Sequence, residues 1–286
     1  MNRAWGRFVA NRGAVVGAGL VAALLLVAVI GPLLAGDPLS RDIDHGLSAM
    51  GAPLGPSSTS LLGTDHLGRD VFARVVAGAG TSLTIASVST LIALAIGLLI
   101  GLVAGYAGGW LDNALMRLVD LVLSFPFLLL AILLAALLRE AGLASSSAPV
   151  YVTLGIVGWT TMARVIRGKA MTLARGEFVT AARALGATPT RIVMRHILPN
   201  VVGVVVVVTA LGFAQNLLAE SVLSYLGLGP PPPAPTWGRM LFEGRVYYRT
   251  APWLVIAPGT AILLAVVSFN LLGEGLRDVF DPKERR

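Results

Sequence analysis

The residues able to do covalent chemistry are few and scattered. There is no cysteine, so a disulfide framework, a thiolate nucleophile and a cysteine-type metal site are excluded. The three histidines, His45, His66 and His196, stand far apart. None forms the HxxxH or HExxH pair that sets imidazoles around a metal. A serine nucleophile needs a base beside it. Ser124, Ser221 and Ser224 lie in apolar runs whose nearest histidine is His196, at a boundary. A phosphate-cradling loop needs GxxxxGK[ST]. The one Gly-Lys pair, Gly168-Lys169, is followed by Ala170 and has Ala at position 163. ATP chemistry must therefore come from another chain. One acid, Glu220, interrupts an apolar run, and Thr209, Asn216 and Ser224 share its side of a helix, within about 80° at ~100° per residue. If the stripe lines a passage, Glu220 meets an amino group in transit. If not, it hydrogen-bonds a neighbouring helix.

The elements that would hold these residues read as membrane spans. Of 286 residues, 56% are hydrophobic and 13% charged, with mean hydropathy +0.80. A soluble domain carries about 25% charged residues, and a large soluble core does not explain apolar residues in long unbroken blocks. A crossing helix needs about 20 apolar residues. Six windows qualify: 13–36, about 81–105 within a longer run, 121–138, 141–163, 196–219 and 250–273. Val204 to Val208 would suggest a buried strand in water, but a lone strand in lipid leaves its backbone unpaired, so a helix is expected. The first window follows Arg3, Arg7 and Arg12 as a signal peptide would. Its apolar stretch is too long and "LLAGDPLS" is a poor cleavage site, so an uncleaved helix is expected. The net charge of +7 records which loops stay inside rather than a nucleic-acid partner. With both termini inside, the four inner pieces hold 15 of the 22 Lys and Arg residues.

Between the fourth and fifth windows lies a polar interlude, "EFVTAARALGATPTRIVMRHILPN" (177–200). Glu177 to Leu185 has neither Gly nor Pro, and Gly186 suits a left-handed helix end. Thr188 can cap a second helix with Pro189 at its first position. That helix is expected to run to about Ile197 and to be broken by Leu198-Pro199-Asn200. Phe178, Ala181, Ala182 and Leu185 fall at i, i+3, i+4 and i+7, a small apolar face suited to packing on another protein.

This interlude resembles the EAA loop of ABC importer permeases. Thr180-Ala181-Ala182, Gly186 and His196-Ile197-Leu198-Pro199 match the family's spacing. Thr180 departs from the family's glutamate, and the nearest acid is Glu177, one turn earlier. "LLGTDHLGRDVFARVVAGAGTSL" (61–83), "LVDLVLSFPFLLLAILL" (118–134), "SYLGLGPPPPAPTWGRML" (224–241) and "SFNLLGEGLRDVFDP" (268–282) resemble the C-type subunit of the dipeptide/oligopeptide/nickel branch. The resemblance implies an all-α, polytopic membrane protein with six transmembrane helices and the type I ABC importer permease fold. It implies a second permease subunit, two ATPases that use ATP and Mg, and an extracytoplasmic solute-binding protein. This chain would bind no cofactor and sit in the bacterial plasma membrane, termini in the cytoplasm. Its EAA loop, residues 176–200, would fit a cleft on an ATPase, with Ala181, Ala182 and Gly186 in close contact. The organisation expected is a tail and first helix (1–36), an outer segment (37–80), a permease core (81–273) and an inner tail (274–286). The cargo would be dipeptides or oligopeptides, or nickel or another non-peptide solute in the same machine. An ion-coupled secondary transporter would want more intramembrane acids than Glu220.

Other features carry paired readings. Arg117 and Asp120 are spaced for an i,i+3 ion pair or a gate contact. Pro126 should kink the third span. The outer loops 37–80 and 225–252 are expected docking surfaces for the binding protein, the second stiffened by "GPPPPAP". Trp237, Tyr247, Tyr248 and Trp253 would serve as interface anchors or as a belt at lipid headgroups.

Overall fold

A computed structural model describes residues 2–280. A short helix α1 (Asn2–Ala10) leads into α2 (Arg12–Leu34). Asn11 caps α2, its Oδ1 accepting from the Ala14 amide at 3.0 Å, which satisfies one orphan donor. An outer loop with the single turn α3 (Ile43–Gly46) precedes α4 (Val71–Ala107). Then come α5 (Gly109–Leu123), α6 (Phe127–Leu138), α7 (Ala148–Ala174), the short α8 (Glu177–Ala184) and α9 (Pro189–Ile192), and α10 (Leu198–Tyr225). A loop helix α11 (Trp237–Gly244) and the last long helix α12 (Trp253–Phe280) complete the described chain. Five helices, α10 counted with α9, are long and apolar enough to cross a membrane, and the α5–α6 pair, bent by 86°, brings the count to six when taken as one broken span.

The tightest pairing is α4 against α7. Gly97, Gly101 and Gly105 repeat every fourth residue and so share one face of α4. A Cβ at Gly101 would lie 2.7 Å from the Ala163 carbonyl, and one at Gly105 2.7 Å from Ala170 Cβ. In lipid, where apolar side chains gain little by leaving the solvent, small residues of this kind let helix backbones approach and pack.

The span boundaries shift for local reasons. The second span starts at Val71, not near Thr81, because Asp70 caps it by accepting from the Ala73 amide at 3.1 Å. The "AGAG" run does not break this helix: Gly78 admits the Trp237 ring, which would stand 3.1 Å from a Cβ. The third span starts at Gly109 and bends by 86° between α5 and α6. Pro126 lacks an amide and disfavours helix at Phe125, so the expected kink is a full break. The fourth span runs Ala148–Ala174 and carries Arg164, Arg167 and Lys169 within the helix. Residues 198–200 do not interrupt the elbow's second helix. A widened turn at Val193–Ile197, closed by Leu198 N–H to Val193 O, absorbs the missing proline amide. Asn200 Nδ2 then donates to the His196 carbonyl at 2.7 Å. The sixth span continues helical to Phe280, so the expected inner tail begins inside a helix. Its residues from 281 on lie outside the described part.

Candidate functional site

The elbow is built as read, with one residue of its expected open face, Ala182, turned inward. Glu177 stands in the first turn of α8, where a negative charge suits the helix dipole. Gly186 adopts φ +79°, and the Ala187 amide reaches back to Ala182 O at 3.0 Å, a glycine-terminated helix end. Thr188 caps α9, its Oγ1 accepting from Arg191 N at 3.4 Å, with Pro189 in the first turn. Val179 and Ala182 turn inward and join Ile192, Ile197, Trp159 and Ile166 in one buried cluster. Ala182 is thus packed within its own chain rather than offered to a partner. The reason is the elbow's size: two such short helices bury themselves only against the spans. The open face presents Phe178, 43% exposed, Ala181 and Leu185, 88% exposed. Thr180 is exposed and, like Leu198 and Pro199, bears no charge. The Arg183 guanidinium lies 5.2 Å from the Tyr106 ring at the end of α4, and His196 lies beside Phe178 with ring centroids 6.5 Å apart. The elbow is therefore tied to α4, α7 and α10 together.

Two ion pairs brace the same end of the bundle. Arg167 grips Asp112 with both Nε and Nη2, the latter at 2.6 Å. Asp120 accepts from Arg164 at 2.7 Å; the expected Arg117–Asp120 pair is not formed, because Arg164 on α7 reaches the carboxylate.

The polar stripe of α10 faces inward. Asn216, Glu220 and Ser224 are 2%, 0% and 3% exposed. Asn216 Nδ2 donates to Thr90 Oγ1 of α4 at 3.0 Å, and Ser224 Oγ donates to Glu220 Oε1 at 2.6 Å. Ser82 and Thr236 also face the carboxylate. The expected path-lining residues are thus a seam within the chain. Polar groups in lipid satisfy one another across helices, and α4 supplies the partners.

At the opposite end a charge network fastens the outer loops. Asp65 accepts from Arg69 Nε at 2.7 Å and from Arg74 Nη1, while Glu243 takes Arg74 Nη2 at 2.8 Å, Arg239 at 2.9 Å and Arg69 at 3.2 Å. Burial pushes the Asp65 and Glu243 carboxyls up, but the guanidiniums outweigh it and both sit below their ordinary values of 3.8 and 4.5. Trp237 is 1% exposed with its Nε1 on Val75 O at 2.9 Å. Trp253 Nε1 donates to Thr64 O at 3.1 Å. These two rings are internal staples rather than interface anchors or a lipid belt. Tyr247 stacks on His66 with ring centroids 6.0 Å apart, and Tyr248 is 57% exposed. Sequence reading missed this network because Asp65 and Glu243 are remote along the chain. The Gly97–Gly105 repeat was visible and went unused.

The described residues form a polytopic membrane bundle with a self-supporting elbow at one end and a clamped cap of loops at the other. The chain belongs to the family of binding-protein-dependent transport system inner membrane components, whose model matches residues 97–286. Residues 1–50 match the N-terminal transmembrane domain of oligopeptide transport permease C. The chain is 37% identical over 273 residues to the dipeptide transport system permease protein DppC of Alkalihalophilus pseudofirmus, covering 96% of this chain and 86% of that one. It is 38% identical over 279 residues to the oligopeptide transport system permease protein OppC of Escherichia coli, covering 98% and 90%. It is 41% identical over 279 residues to the glutathione transport system permease protein GsiD of Salmonella typhimurium, covering 98% and 89%. Its fold is similar to that of a chain of the MetNI methionine ABC transporter in an inward-facing form, with a TM-score of 0.60 at 20% identity over 72% of this chain and 96% of that one.

Proposed function

We propose that this chain forms one transmembrane half of an ATP-driven peptide importer, and that the α8–α9 elbow is the handle by which a separate ATPase moves it. The observation that carries the reading is the pairing of two features in one element. Leu185 is 88% exposed on the elbow's tip, while Val179, Ala182 and Ile192 share a buried cluster with α7. A force on the tip is therefore passed to the spans as a rigid-body movement. The cargo reading rests on relatives whose names specify dipeptides, oligopeptides and glutathione.

In this reading the elbow and both termini lie in the cytoplasm of a bacterium, and a second permease subunit faces this one. Two ATPases supply the ATP and Mg chemistry, and a solute-binding protein docks on the outer loops. Replacing Leu185 by Glu puts a charge on the tip without touching the elbow's core. Expected is loss of peptide uptake and of ATPase co-purification, with membrane insertion unchanged. Normal uptake by that variant would overturn the assignment.

A further inference from the structure

Three observations converge on the side of α7 and α10 that the buried stripe does not use. Gln215 is exposed and has no hydrogen-bond partner among the described residues. It precedes Glu220 by five positions, about 140° around the helix at ~100° per residue. Thr161, at the middle of α7, is likewise exposed and unpaired. One turn further along α7, the Arg164–Asp120 pair is open, with side chains 52% and 58% exposed. Polar groups in the middle of a spanning helix, such as Gln215 and Thr161, face a cavity or another protein, not acyl chains.

The break between α5 and α6 opens onto the same place. Leu123, Phe125, Thr160, Thr161 and Gln215 line one cleft. Non-helical backbone at membrane depth persists only where protein buries it or water reaches it.

We propose that this side of the bundle is the wall of the translocation path. Gln215 and Thr161 hydrogen-bond the backbone amides of the passing peptide there. The free polar groups of the cleft, Thr161 and Gln215 among apolar Val122, Leu123, Phe125, Phe127 and Val157, are uncharged donors and acceptors. They match the amide unit that every peptide repeats rather than any one side chain. The amide assignment rests on the peptide reading given above; the placement of the path does not.

The natural chain has no cysteine, so single cysteines report cleanly in the assembled importer. In vesicles, Gln215→Cys and Thr161→Cys should react with a membrane-impermeant maleimide about tenfold or more faster than Val29→Cys, because a thiolate forms only where water reaches. Val29 is the lipid-side control, 73% exposed on α2. Gln215→Leu should assemble yet lose about tenfold in uptake of a dipeptide or tripeptide, the loss of one hydrogen-bonding group, with Gln215→Asn recovering most of it. Equal reaction rates at positions 215 and 29 overturn the placement. Wild-type uptake by Gln215→Leu overturns the amide contact. A fast-reacting cleft in a complex that imports no peptide overturns the cargo, and the amide contact with it, while the path stays where it is placed.

Discussion

Arg74 illustrates how a charge is kept at the edge of a lipid-facing helix. Its side chain is 3% exposed and holds both Asp65 and Glu243. Removing one partner of a buried pair typically costs about 3–5 kcal/mol, because the remaining charges lose their counter-charge. Arg74→Met should lower the Tm of the purified complex and expose the 47–70 segment to protease. The pH dependence has a defined sign. Both carboxyls titrate below their ordinary 3.8 and 4.5 in the folded chain. Their stabilisation is therefore complete above those values and is lost as pH falls through the lower folded ones. The Tm should hold steady from pH 7 to about 5 and drop below about 4. Glu220, in contrast, is enclosed by Ser221 and Ser224 as hydroxyl donors. The Gln oxygen can still accept from Ser224, and its amide nitrogen can donate to Ser221 Oγ, whose own proton reaches the Leu217 carbonyl at 2.9 Å, so Glu220→Gln should transport normally. A large loss of uptake with intact assembly would return this residue to the path.

Two elements carry the proposed motion, and each fails in its own way. The α4–α7 pair depends on backbone approach at Gly97, Gly101 and Gly105. Gly101→Leu has no space beside the Ala163 carbonyl, 2.7 Å from where its Cβ would stand. It should abolish assembly, as seen by loss of the complex from size-exclusion profiles. The elbow separates two failures that look alike in an uptake assay. Ala182→Glu places a charge in the cluster shared with Trp159 and Ile166, and should unfold the elbow and speed its proteolysis. Leu185→Glu changes only the exposed tip and should leave proteolysis unchanged while uptake is lost. If the two variants are equally protease-sensitive, tip and core are not distinct.

The described bundle is fastened at both ends. At one end the elbow shares its core with α7, and Arg183 lies against the Tyr106 ring of α4. At the other, the Asp65–Arg74–Glu243 network and the Trp237 staple bind the loops to α4, and Trp253 ties the outer loop at Thr64 to α12. Between them, α5 and α6 meet at a break level with the middle of α7. In the mechanism proposed above, α4, α7 and α10 move as a rigid group and the break is where its two packings differ. Restraining it by a disulfide between Phe125→Cys and Thr161→Cys should stop uptake reversibly. Undiminished uptake with the bond formed would show that the break does not move.

Much of this was legible in the sequence because the code for it is local. Span number follows from run length against a fixed hydrocarbon thickness. The elbow follows from Gly186, Thr188 and Pro189, whose backbone preferences act within a few residues. The absence of a phosphate loop is a fact of spelling. Tertiary structure alone decided which side of each helix faces what. The α10 stripe turned inward because Thr90 and Ser82, more than a hundred positions away, supply its partners. Ala182 turned inward because Ile192 and α7 covered it. Periodicity groups residues onto one face of a helix. Only the neighbours brought by the fold determine whether that face meets protein, lipid or water.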